Sequence, residues 1–316
     1  MNRVLVDPAK LTAIADVVRQ FSSHKSPMTL DEIPGEIQEF VDNLIGGGGI
    51  IYTQVGTSGE LQKLKTNGNV PRYVFKGMTE LQEADLSNSP EVGTMAFAGL
   101  TKIGKVILSD EMSEVVSEVF EGCSGLATVE GGAAIESIAY QAFNGCSALA
   151  YMTPPPNLKT IGEESFYNTK KLAWSKLPDS VITIGPSAFR GGCLKLTELP
   201  PELTVLEGSV FRDCPLEITA IPPKVTTIGS FACSGLASAE LTFPASVTSI
   251  GSRSFGWASN LQKVYFEGTP NSIAGDTFIY DTSISDIYVP WTEGAVANAP
   301  WGADNATVHY EWNGEK

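Results

Sequence analysis

The stretch Val247-Thr248-Ser249-Ile250-Gly251-Ser252-Arg253-Ser254-Phe255 decides the fold, because the chain repeats it. Written Ile-Gly-x-x-Ala/Ser-Phe, the pattern returns along most of the sequence. Its phenylalanines stand at Phe75, Phe97, Phe120, Phe143, Phe166, Phe189, Phe211, Phe231, Phe255 and Phe278, in steps of 22, 23, 23, 23, 23, 22, 20, 24 and 23 residues. A period held over so many steps is the signature of a repeat array. Each unit in such an array buries its apolar face only by stacking on the next.

Every position of the unit has a physical reason. Val247 and Ile250 are β-branched and suit a short strand. Gly162, Gly185, Gly229 and Gly251 follow that strand, where the chain turns. The Phe is a large anchor, and one per turn makes a continuous aromatic spine. A column of Leu81, Leu100, Leu126, Leu149, Leu172, Leu196, Leu216, Leu236 and Leu261 opens a second strand. Pro154, Pro178, Pro200, Pro222 and Pro244 close it, since proline cannot continue a ladder in mid-sheet. The predicted fold is a mainly β repeat solenoid of about ten coils of ~23 residues with short parallel strands, preceded by a small two-helix head.

The head is residues 1–45. Leu11, Ile14, Ala15 and Val18 follow Asp7-Pro8 at helical spacing, and Ile33, Ile37, Phe40, Val41 and Leu44 form a second stripe. Two such helices are marginal alone. Leu11, Ile14, Val18, Ile37, Phe40, Val41 and Leu44 are therefore the candidate docking face for another chain. The competing expectation is that the helices pack on each other or on the first coil. Gly46–Gly49 reads as a linker, residues 50–72 as an N-terminal cap, 73–289 as the solenoid and 290–316 as a C-terminal cap. Trp291, Trp301, Tyr310 and Trp312 give that last segment the bulk to cover an open stack end.

Units such as Ile138-Ala139-Tyr140-Gln141-Ala142-Phe143-Asn144-Gly145-Cys146-Ser147-Ala148-Leu149 resemble the BspA-type leucine-rich repeat. That resemblance implies a parallel solenoid and no single activity. Two departures are local. The unit at Phe231 reads two residues short, and Val210 replaces the usual Ala or Ser before Phe211. The head, through Lys10 to Asp16 and Met28 to Ile33, resembles a short helical module of phage and prophage structural proteins of Gram-positive hosts. Val289 to Tyr310 resembles the closing segment of the same kind of protein. These two likenesses imply a virion protein.

Composition excludes more than it assigns. With 21 Lys plus Arg against 36 Asp plus Glu, the formal charge is −15, which repels nucleic acid and anionic membrane surfaces. No apolar run approaches the ~18 residues of a spanning helix. The start Met1-Asn2-Arg3-Val4-Leu5-Val6 lacks a signal-peptide pattern, so the expectation is a protein made in the host cytoplasm and carried on a phage tail. His24 and His309 are too few for a catalytic triad or metal cluster. Gly46–Gly49 lacks the flanks of a phosphate loop. Asp110, Glu111 and Glu114 lack Ca²⁺ ligand spacing. No enzyme activity, cofactor or metal is expected. The cysteines (Cys123, Cys146, Cys193, Cys214 and Cys233) read as small buried groups, with a disulfide between adjacent coils as the competing reading.

A binding surface is the better expectation. Alternation along the second strand predicts an outward column of Glu83, Lys102, Thr128, Tyr151, Trp174, Glu198, Ser238, Lys263 and Asp286. Tyr151 and Trp174, with Lys176, form the predicted patch for a host-surface glycan or protein, and Tyr265 with Tyr288 a second. Ser137, Thr160, Thr183, Thr227 and Ser249 make a hydroxyl ladder read as structural. The expected role is a phage tail fibre or receptor-binding component. Its expected partners are other virion proteins through residues 1–45, a cell-surface receptor, and further copies of itself in a homotrimer. A bacterial cell-surface adhesin and a head decoration protein are the alternatives.

Overall fold

The structure, a computed structural model, describes residues 52–55 and 61–315. The head, its docking residues and the Gly linker lie outside the described residues. Within them the chain is a parallel β-solenoid of about 11 turns of ~23 residues, and no helix occurs. It forms two compact units. One holds residues up to 135 together with 142–152, and the other holds 136–141 and everything from 153 on.

The first unit opens with an antiparallel hairpin of β1 (Tyr52–Val55) and β2 (Leu61–Asn67). From β2 onward the pairing is parallel, through β3 (Glu83–Asn88) and β4 (Lys105–Leu108) to a fourth parallel strand at Thr128–Gly131. Lys63, Glu83, Lys105 and Thr128 are register partners, and Thr128 bridges to Tyr151. The outward column therefore runs through Lys105 and not Lys102, because the strand begins five residues after Leu100 rather than directly at it. Opposite charges alternate along it, and Lys63 reaches Glu83 at 3.0 Å. Inside, Phe75, Phe97, Phe120 and Phe143 are fully buried with centroids 4.8, 5.5 and 5.4 Å apart.

The second unit builds its spine the same way. Phe166, Phe189 and Phe211 follow at 5.3 and 5.7 Å, and Phe255 meets Phe278 at 6.0 Å. Two-residue strands before the Gly turn stack at Ser137–Ile138, Thr160–Ile161 and Thr183–Ile184. They stack again at Val205–Leu206, Thr227–Ile228, Ser249–Ile250 and Ser272–Ile273. Among the hydroxyls beside them, Ser272 Oγ donates to Ser249 Oγ at 3.1 Å. A third parallel sheet joins Glu240–Phe243, Lys263–Phe266, Asp286–Tyr288 and Thr307–His309. Its outward partners are Glu240, Lys263 and Asp286, so Glu240 holds the place assigned to Ser238, which is buried.

The short unit disappears. Phe211 N–H donates to the Ala232 carbonyl and Cys233 N–H to the Ser254 carbonyl. Cys233 thus fills the spine position, and the steps 211 to 233 and 233 to 255 are both 22 residues. Phe231 stands two residues before the spine, partly exposed, at φ 57. Phe243, buried on the same turn and paired in register with Phe266, lies edge-on to Phe255 at 5.1 Å.

All five cysteines are free. Cys123 Sγ donates to the Phe97 carbonyl at 3.0 Å and Cys146 Sγ to that of Phe120 at 3.2 Å. Burial pushes the Cys123 and Cys214 thiols up to about 12, which keeps them protonated and unreactive. After Val289 the chain makes one further turn. Thr307–His309 pairs in parallel with Asp286–Tyr288, and Phe278 N–H donates to the Trp301 carbonyl. Trp301 is fully buried, 6.0 Å from Phe266 and 6.2 Å from Trp291.

Candidate functional site

The predicted patches do not survive as drawn. Trp174 is 5% exposed and packs edge-on against Phe166 and Phe189 at 5.1 and 6.2 Å. No strand forms after Leu172, so the in–out alternation that would turn Trp174 outward does not apply there. Tyr151 is the opposite case, at 72% exposed. Lys176 is occupied by Asp179 at 3.2 Å and Glu198 at 2.8 Å. Tyr265 is buried. It stacks on Tyr288 at 5.0 Å, Trp312 lies 5.5 Å away, and Tyr288 stacks on His309 at 4.5 Å. The second predicted patch is thus covered by the C-terminal turn.

A different surface emerges from the turn that follows the spine. The residue two positions beyond each spine side chain has a left-handed backbone: Gly77, Gly99, Gly122, Gly145, Asn168, Gly191, Asp213 and Gly235. Glycine suits it because no Cβ is present, and Asn and Asp tolerate it. A Cβ added at Gly77 or Gly99 would meet nothing within 4 Å, while one at Gly191 would meet the Asn168 side chain at 2.7 Å, so a side chain at this place lies at the surface beside its counterpart on the adjacent turn. On the next two turns the position is held by Trp257 at φ 61 and Tyr280 at φ 69. A bulky residue there carries strain of about 1–2 kcal/mol.

These two residues are brought together. Their rings are 5.0 Å apart, with Trp257 44% and Tyr280 61% exposed. Phe231, displaced from the spine, adds a third ring 6.4 Å from Trp257 and nearly parallel to it. Arg212 lies over the Phe231 ring at 4.4 Å and Arg253 at 5.6 Å. Arg253 is held by Asp276 at 3.1 Å. The result is a row of three aromatic rings on consecutive turns, Trp257 and Tyr280 exposed and Phe231 partly so, with cations at one end. Such rings offer apolar contact and π faces to a partner, and no reactive group. Among the described residues no group of three His, Cys, Asp or Glu could hold a metal ion. Sequence reasoning missed the row. The available signal was Trp257 and Tyr280 standing where the other turns place Gly, Asn or Asp.

A family model for the BspA type leucine-rich repeat region matches residues 68–197 and 183–297, with six copies. Together the matches span 68 to 297, or 230 of the 316 residues. The chain belongs to the BspA-type leucine-rich repeat family. No curated protein matches it. Among solved structures it is similar to a leucine-rich repeat protein from Bacteroides ovatus, with 15% identity, TM-score 0.50, and 83% of this chain and 98% of that one covered. It is also similar to a leucine-rich cell surface protein from Faecalibacterium prausnitzii (18% identity, TM-score 0.44, 82% and 93% covered). A third is the pneumococcal vaccine antigen PcpA (13% identity, TM-score 0.40, 82% of each chain covered). All three are bacterial and none is a phage protein.

Proposed function

We propose that the protein is a non-enzymatic binding scaffold of the bacterial cell-surface type, with the row Phe231–Trp257–Tyr280 as its contact surface. One observation carries this. Trp257 and Tyr280 hold strained turn positions that most other turns give to glycine, and their rings pack only along the outward row, not into the core. Strain retained for a surface row of rings points to a partner. Proteins built on this repeat are typically binding proteins and not enzymes, which supports the reading. Tyr151, exposed on the other unit, is a second candidate contact.

The cell-surface role is preferred to the phage-tail role. Of the two segments that resemble phage proteins, residues 1–45 lie outside the described residues. The other, 289–310, is explained by its work in closing the stack through Trp291, Trp301 and Val308. The leucine-rich repeat family, in contrast, covers 230 residues. The test is adhesion of the purified chain to immobilised matrix proteins and cell-surface glycans, with and without Trp257→Ala plus Tyr280→Ala. Removing two exposed rings from a contact should weaken adhesion at least about tenfold. Unchanged adhesion removes the row from consideration. Immunogold label on purified phage particles, and none on the producing cells, would return the virion role.

A further inference from the structure

Beside Tyr280 the second unit opens a cleft of about 550 Å³. Its walls include Tyr280, Asp281, Thr282, Asp276, Asp304 and Asn305. Three of these are carboxylates, and no Lys or Arg lines the cleft. Their circumstances differ. Asp276 is already paired, accepting from Ser252 Oγ at 2.8 Å and Arg253 Nε at 3.1 Å. Asp304 is exposed. Asp281 is 2% exposed. Its Oδ1 accepts from Ala258 N–H at 2.5 Å, while its buried Oδ2 has no partner among the described residues. A buried carboxyl normally has a partner for each oxygen or a counter-charge nearby. Burial pushes this one up to about 7, as expected of an acid with neither.

We propose that this cleft receives an alkylammonium or guanidinium group presented by a basic segment of a protein partner. The chemistry is complementary throughout. The cation would supply the missing counter-charge beside Asp281 and Asp304, and the exposed Tyr280 ring offers its negative π face on the same wall. A neutral sugar would offer no counter-charge to Asp304 or to the ionised form of Asp281. The partner is a polypeptide because the aromatic row continues from Tyr280 across two further turns, a footprint that fits an extended chain and exceeds one head group. A chain of formal charge −15 also draws basic partners toward it. The proposal rests on the row being a binding surface and names what that surface recognises.

The test is calorimetry on the full chain at low salt with three probes: hexalysine, its fully Nε-acetylated form, and n-butylammonium. Hexalysine is expected to bind and the acetylated peptide not to. Butylammonium should bind at least about tenfold more weakly than hexalysine, lacking the contacts along the row. Asp304→Asn and Tyr280→Ala should each weaken hexalysine about three- to tenfold. Glu111→Gln, which removes an exposed charge that does not line the cleft, should leave binding unchanged. An equal loss with Glu111→Gln would reduce the effect to general attraction by an acidic chain and overturn the pocket. Equal binding of the acetylated peptide, or none of hexalysine, overturns it too. Butylammonium binding as tightly as hexalysine overturns the polypeptide partner. If hexalysine fails while surface adhesion still depends on Trp257 and Tyr280, the pocket falls and the row stands. Adhesion indifferent to both rings removes the row itself.

Discussion

Asp281 is the residue at which burial and charge conflict most openly. Its carboxyl is raised by burial from 3.8 to about 7 in the folded chain. Between about pH 4 and pH 7 the folded state therefore holds a proton that the unfolded state has released. Stability falls as pH rises through that window, and the penalty is complete above about pH 7. At 1.36 kcal/mol per tenfold in proton affinity, it is on the order of 4 kcal/mol at most. Asp281→Asn removes the charge and keeps an oxygen for Ala258 N–H. The variant should be more stable by about 1–3 kcal/mol at pH 8, less than the full penalty because the amide brings an unpaired N–H of its own. The gain should vanish near pH 4. Urea melts at the two pH values check this, and an equal effect at both would show that the carboxyl is not raised.

At the scale of the element, the turn after the spine is one backbone shape filled by different residues. Glycine at its left-handed position is free of strain, and Trp257 is not. Trp257→Gly should leave thermal stability unchanged or raise it by up to about 1 kcal/mol, because relief of strain offsets the lost ring contact with Tyr280. Trp257→Ala keeps a Cβ in the left-handed region and should be the less stable of the two. Glycine proving clearly worse would mean that the ring is a structural prop. The same turns explain what was legible beforehand. The Phe period predicts stacked parallel turns because one bulky anchor per turn is a requirement of packing, and packing recurs. It misplaces Phe231, because a search by letter takes any Phe for the anchor while the backbone accepts Cys233. It sends Trp174 outward, because alternation presumes a strand that Leu172 does not start. Trp257 and Tyr280 escape notice because their significance lies in a φ angle, which only comparison with Gly, Asn and Asp at the same place in other turns suggests.

At the scale of the molecule, each turn is completed by its neighbour, so the last one has the most to protect. The segment from 290 on covers Phe266 with Trp291 at 5.4 Å and supplies a partner strand for Asp286–Tyr288. Deleting residues 290–316 would bare Phe266 and Phe278 and leave an unpaired edge. The truncated chain should melt lower and self-associate, as read by light scattering against the full chain. A monomeric product with unchanged melting would show that the segment is dispensable.

The hydrogen bonds that run from each turn to the next have a consequence for the gene. Between Phe211 and Phe255 the spine steps by 22 residues twice over, and the short strands beside it keep that step, Val205 to Thr227 to Ser249. Losing or duplicating 22 codons hands each remaining residue an equivalent neighbour, whereas losing one codon shifts the register of everything after it. Length variants of this protein should therefore differ by whole turns. Recombination between its own repeats then gives a direct way to reposition the aromatic row along the stack.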